Sequence, residues 1–168
     1  HVCLGLPVTH RHAPKPTPAT LIRQQISVNY HGAVMAGAGS QAEKSFRETV
    51  DSRDFYYIVE GAVATGIPEA MTIAGKTSME ICKDTYEKAK ATIAIGTCAT
   101  YGGIQAAAPT PTGANGGADF LSQAAGISNP SVINALWHPG HADGHSTLPL
   151  HFRFMRTVPV PTAHPGVR

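Results

Sequence analysis

Apolar and polar residues alternate along this chain in short, well-punctuated blocks. Residues 25–30, "QISVNY", alternate as a half-buried strand does. A small, flexible run, "HGAVMAGAG", follows. Ser40 and Glu43 have the S-x-x-E spacing of a capping box, in which each side chain satisfies an unpaired amide at a helix start. Ala42, Phe46 and Val50 lie four apart and share one face of the helix this predicts over 40–50. Residues 55–61, "FYYIVEG", read as a second strand. Thr77 and Glu80 repeat the capping box, and Met79, Cys82, Tyr86 and Ala89 then fall at helical spacing up to residue 90. A buried strand over 91–95, "ATIAI", follows directly. A Pro/Gly loop over 104–116, a short helix around 118–125 and a strand over 131–136 complete the pattern.

This alternation of strands and helices predicts an α/β fold, a parallel sheet with helices on both faces. Right-handed crossovers bring the carboxyl end of every strand to one edge. Glu60, Cys98 and His138 each follow a predicted strand, so they are expected along that edge, where open α/β sheets bind ligands. Outside this block the pattern is lost. Residues 1–24 contain Pro7, Pro14, Pro16 and Pro18, which forbid helix interior, and 145–168 show no periodicity. The expected organisation is an irregular segment over 1–24, a domain over 25–144 and an irregular tail over 145–168.

Composition narrows the chemistry. The 168 residues suit one domain, and 42% hydrophobic content suffices for a core. A net charge of +2 implies no field for nucleic acid or an anionic membrane. No apolar run reaches the roughly 18–20 residues of a membrane span, and no signal peptide is recognisable at the start. Charged residues make up only 14%, which suggests surface covered by a partner. The deficit concentrates between Ala91 and Ala118, where no Asp, Glu, Lys or Arg occurs. A partner interface is therefore expected on the edge carrying Glu60, Cys98 and residues 102–117.

Three cysteines, Cys3, Cys82 and Cys98, do not all pair, so a disulfide framework is not expected. Cys82 lies mid-helix on the apolar face and reads as packing. Cys98 sits on a glycine-loosened turn at a strand end, either as a small buried hydrophobe or as a soft-metal ligand. Glu60 is either a solvated acid at the sheet edge or a proton carrier or hydrogen-bond acceptor beside a cofactor. His138, His141 and His145 have a zinc-like spacing, but Pro139 and Gly140 argue against the helix it requires. "GAGSQ" and "GTCATYGG" are glycine-rich, yet neither matches a dinucleotide or P-loop pattern.

The stretches "ISVNYHGAVMAGAG", "YYIVEGAV" and "MEICKDTYEKAKATIAIGTCATYGGIQAAAPTPTG" resemble the small subunit of nickel–iron hydrogenases over about residues 25–116, and weakly to about 144. The resemblance implies a flavodoxin-like domain holding a proximal [4Fe-4S] cluster. It also implies a heterodimer with a large subunit that carries the nickel–iron centre, an electron acceptor such as a cytochrome, and a periplasmic or membrane-associated location. The family's export signal is absent here, which points to a mature or truncated form. On this reading the chain passes electrons and does not itself split hydrogen. The other readings are a flavin- or nucleotide-binding module and a cluster-free scaffold.

Carried over residue by residue, Cys98 matches the ligand of the family's G-T-C motif. Cys3 matches the first cysteine of its C-T-G-C pair, supported by Gly5, and Glu60 matches the acid of its V-E-G turn. Leu6 stands where the second cysteine of the pair belongs, and His138 takes the place of the last ligand cysteine. Histidine replaces cysteine at iron in Rieske centres, whereas leucine does not ligate. The resemblance thus implies a cluster that is incomplete or lost, in a chain truncated or divergent at both ends.

Overall fold

The computed structural model describes residues 27–32 and 35–135. Helix α1 spans Ser40–Ser52. It leads to strand β1, Tyr56–Glu60, and to a two-residue strand β2, Val63–Ala64. A hairpin of β3, Thr72–Ile73, and β4, Lys76–Thr77, precedes helix α2, Ser78–Lys88. Strand β5, Ala91–Ile95, runs straight into helix α3, Gly96–Tyr101. Strand β6, Ala114–Asn115, leads into a short helix α4, Gly117–Asp119, which continues as a π turn over Phe120–Ala124. Strand β7, Val132–Ala135, closes the described chain.

The main sheet has the order β1–β5–β7, and both pairings are parallel. Helices flank it, as the expected α/β, flavodoxin-like fold requires. β5 lies in the middle, and Thr92, Ile93, Ala94 and Ile95 are all buried. A central strand of a parallel sheet is covered on both faces, which is why its sequence is almost continuously apolar.

Under this sheet Val63, Tyr86, Phe120 and Leu121 form a buried cluster, with Met79, Cys82, Ile127 and Val132 packed against it. The predicted apolar face of α2 is the face that packs. The Tyr86 hydroxyl also accepts the Ser131 N–H at 2.8 Å, which ties α2 to the start of β7. On α1, Val50 is buried, and the ring of Phe46 lies 5.0 Å from that of Tyr30.

Three expectations are corrected. Residues 27–30, the described part of the strand expected over 25–30, form no strand and join no sheet. Val28 is 47% exposed, so the apolar alternation there buries no face. The capping box at Ser40 is not formed either. Gly39 takes the cap position with φ 55°, so Ser40 is already the first helical residue and caps nothing. Glu43 instead faces Arg47 one turn on. Lastly, the turn expected at "GTC" is the helix α3. The segments 1–24 and 145–168 lie outside the described residues, as do 136–144.

The second capping box is complete. Thr77 N–H donates to Glu80 Oε2 at 2.8 Å, and Glu80 N–H donates to Thr77 Oγ1 at 3.3 Å. These bonds hold the Glu80 carboxyl below its usual range. Thr77→Ala is expected to lower stability by about 1 kcal/mol, read from the urea midpoint, while Ser40→Ala leaves the midpoint nearly unchanged. The contribution of Glu80 is present above its unfolded pKa and is lost as pH falls through the depressed folded one.

Candidate functional site

The strand register delivers the site. Glu60 pairs with Ile95, and Ile95 pairs with Ala135, so the three strands end level at the carboxyl edge. Gly96, with φ 80°, turns the chain out of β5 into α3. Cys98 is the third residue of that helix and is partly exposed. It therefore sits on a rigid element at the edge, not on a loop.

Glycines seat this helix. Gly102, with φ 88°, ends it and donates its N–H to the Cys98 carbonyl at 2.9 Å. Gly116 approaches so closely that a Cβ there would lie 2.1 Å from the Thr100 carbonyl oxygen. The segment supplying Gly116 is itself pinned to the chain after β1. β2 and β6 pair antiparallel, Thr65 Oγ1 donates to the Gly113 carbonyl at 2.6 Å, and Asn115 Nδ2 donates to Thr65 Oγ1 at 3.0 Å. The connections after β1 and before α4 thus form one frame around α3.

The chemistry at this edge is spare. Glu60 Oε1 is buried with no hydrogen-bond partner, and desolvation raises the carboxyl's pKa. The Cys98 thiol faces the Gln105 side-chain oxygen at 3.6 Å. Tyr101 and Ile104, the next large side chains, are 60% and 87% exposed. Among the described residues no three His, Cys, Asp or Glu side chains gather as a metal-binding group. Cys3 and His138 lie outside the described residues, as do Leu6, His141 and His145.

Cys82 behaves as the packing residue it was expected to be. Tyr57 donates its hydroxyl to Cys82 Sγ at 3.1 Å. Burial pushes the Cys82 thiol up and Tyr57 well above the ordinary phenol range. What sequence reasoning missed is the seating of α3, namely Gln105 on the thiol and Gly116 on the Thr100 carbonyl. The glycine pairs 102–103 and 116–117 were the available signal for close backbone approach.

Comparison with known proteins places this geometry. The family model described as NADH ubiquinone oxidoreductase, 20 Kd subunit, matches residues 3–142. The chain belongs to this family. Within that likeness, the chain is 45% identical over 121 residues to the periplasmic [NiFe] hydrogenase small subunit 1 of Nitratidesulfovibrio vulgaris, covering 71% of this chain and 38% of that protein. It is 33% identical over 162 residues to the quinone-reactive Ni/Fe-hydrogenase small chain of Wolinella succinogenes, covering 94% of this chain and 44% of that one. The solved structure of the H2-activated [NiFeSe]-hydrogenase of Dm. baculatum superposes with a TM-score of 0.79 at 30% identity, covering 98% of this chain and 62% of that one. The resemblance to hydrogenase small subunits is thereby borne out. The chain spans less than half the length of these two curated relatives.

The family match takes in Cys3, Glu60, Cys98 and His138 together. No helix among the described residues is long and apolar enough to cross a membrane.

Two outcomes follow from the site's packing and charge. Gly116→Ala forces its methyl onto a backbone carbonyl and is expected to cost about 1–3 kcal/mol or more. Gly117→Ala, whose Cβ would sit 3.5 Å from the Ala99 carbonyl, changes stability by less than about 1 kcal/mol. Denaturant titration separates the two. Glu60 carries a raised folded-state pKa, so its ionisation opposes folding. Glu60→Gln is expected to raise the melting temperature at neutral pH, with the gain vanishing as pH falls below the unfolded carboxyl pKa.

Proposed function

We propose that this chain is the flavodoxin-like part of a hydrogenase small subunit. It docks a hydrogen-activating large subunit along the edge of Glu60, Cys98, Tyr101 and Ile104, and it serves electron transfer to an acceptor such as a cytochrome. The observation that carries this reading is the placement of Cys98, the cysteine of the G-T-C motif, on a rigidly seated helix at the carboxyl edge of the central strand. The neighbouring exposed side chains Tyr101 and Ile104, in a stretch without formal charge, support a protein partner there. The nickel–iron centre belongs to that partner. By likeness to its periplasmic relative, the chain works on the periplasmic side.

A four-thiolate iron–sulfur cluster does not fit the donors of this chain. The sequence holds three cysteines, and Cys82 is turned onto Tyr57 on the packed face of α2. Cys98 and Cys3 are left as thiolates and His138 as an imidazole, with Leu6 unable to ligate. These donors are soft enough for iron and sulfide, and they suit a smaller or incompletely ligated cluster. Cys98 and His138 each follow a level-ended strand by three residues. The resemblance implies that the two serve a common centre. Glu60, with a buried oxygen awaiting a donor, is the hydrogen-bond or proton partner beside it.

Anaerobic reconstitution with ferrous iron and sulfide tests this reading. Cys98→Ser is expected to lower bound iron several-fold, while Cys82→Ser leaves it unchanged. Leu6→Cys with His138→Cys is expected to raise iron and sulfide towards about four of each per chain. The claim of a degraded site is wrong if the unaltered chain holds four irons as firmly as the doubly changed one. A chain that takes up no iron and instead purifies with bound flavin or nucleotide belongs to the binding-module reading.

A further inference from the structure

Asn115 and Gly116 form the one Asn-Gly pair of the sequence, and the pair lies at the contact that seats α3. Asparagine followed by glycine reacts with water in two steps. The glycine nitrogen attacks the asparagine Cγ, so that an N–Cγ bond forms and the Cγ–Nδ2 bond breaks. The proton displaced from the attacking nitrogen leaves with Nδ2 as ammonia. Water then opens the cyclic imide at either carbonyl. One opening gives aspartate. The other gives isoaspartate, whose main chain runs through Cβ and is one carbon longer. In sum, asparagine plus water gives aspartate or isoaspartate plus ammonia, and nothing is oxidised or reduced. Glycine hinders the attacking nitrogen least, because it has no Cβ.

We infer that the Asn115–Gly116 bond is a hydrolytic modification site, closed while the β2–β6 frame is made and coupled through Gly116 to α3. Three contacts close it. Asn115 lies in β6 and pairs with Val63, so the ladder opposes the main-chain rotation that brings the nitrogen to Cγ. Its Nδ2, the group that must leave, donates to Thr65 Oγ1 at 3.0 Å and to the Gly113 carbonyl at 3.3 Å. Thr65 Oγ1 is itself fixed by donating to that same carbonyl at 2.6 Å. Gly116, which supplies the nitrogen, is buried, with Thr100 C and Tyr101 N only 2.5 and 2.8 Å from where its Cβ would stand. Opening of the frame releases all three contacts together. Isoaspartate then puts an extra carbon into a segment that has no slack against Thr100, so the close-packed seat of α3 is not remade.

The test ages the full chain at neutral pH in heavy-oxygen water. Peptide mass spectrometry with electron-transfer fragmentation follows the oxygen gained at Asn115 and tells isoaspartate from aspartate. The reference is the same chain unfolded in guanidinium chloride. The two hydrogen bonds on the leaving amide are expected to slow the folded chain about tenfold or more against that reference. Thr65→Val removes the hydroxyl and is expected to speed the folded chain about fivefold, the worth of one such bond. Thr77→Ala weakens the capping box of α2 instead and leaves the Asn115 rate unchanged. A folded chain that reacts as fast as the unfolded one overturns the inference. So does an unchanged rate in Thr65→Val, or an equal acceleration in both variants, which makes the opening global. Hydrogen exchange reads the coupling in the unsubstituted chain, without relying on either variant folding. The peptide over 96–102 is expected to exchange faster in the isoaspartate fraction than in the aspartate fraction, and equal exchange in the two overturns the link to α3.

Discussion

The helix that carries Cys98 is held by backbone against backbone. Gly116 comes so near the Thr100 carbonyl that even a methyl group has no room between them, and that contact fixes where α3 lies. Everything at the candidate site hangs from it. The level ends of β1, β5 and β7 set the height of the edge, and Gly96 turns the chain into the helix. The β2–β6 pair with Thr65 and Asn115 then keeps Gly116 in place. The helix that carries this thiol is placed by covalent geometry and main-chain contact. Side chains, which lose more freedom on ordering, have little part in placing it.

Charge is distributed over the described residues in a way that agrees with this seating. Lys90 pairs with Asp54; Lys90 immediately precedes β5 and Asp54 lies two residues before β1, at the amino edge of the sheet. Lys88 joins Asp84 and Asp51 near the same end, and α1 carries Lys44 with Glu48 and Arg47 with Glu43. Such exposed pairs add little stability singly, but they mark a face suited to water. The carboxyl edge has no such pairs among the described residues. Glu60 there is desolvated, and Tyr101 and Ile104 are large exposed side chains. The sheet thus has one wet end and one end whose surface is better covered than solvated.

Much of this was legible from residue pattern. The continuous apolar run 91–95 and the helical spacing of Met79, Cys82 and Tyr86 each report burial that the fold then makes. The Thr77–Glu80 box is local chemistry that needs no tertiary help. The failures are equally physical. The alternation in 27–30 looks like a strand because period-two patterning does not reveal whether a neighbour exists to cover it. The Ser40 box fails because the left-handed Gly39 in front of it begins the helix one residue early. "GTC" read as a turn because glycine and threonine are poor helix formers. Seated against Gly116, with Thr100 Oγ1 bonded to the Gly96 carbonyl, the segment is a helix all the same. Gln105 was invisible because a contact over seven residues through two left-handed glycines has no periodic signature.

The hydrophobic core draws on none of the candidate site residues. Val63, Tyr86, Phe120 and Leu121 pack beneath the sheet, on residues that contribute nothing to the edge. Small metal-organised domains collapse without their ion because binding free energy is their folding free energy. Here the buried cluster, the parallel register and the backbone contact at Gly116 are interactions of the chain with itself, apart from the Cys98 sulfur. The Cys98 thiol, beside Gln105 and Gly103, lies outside that core.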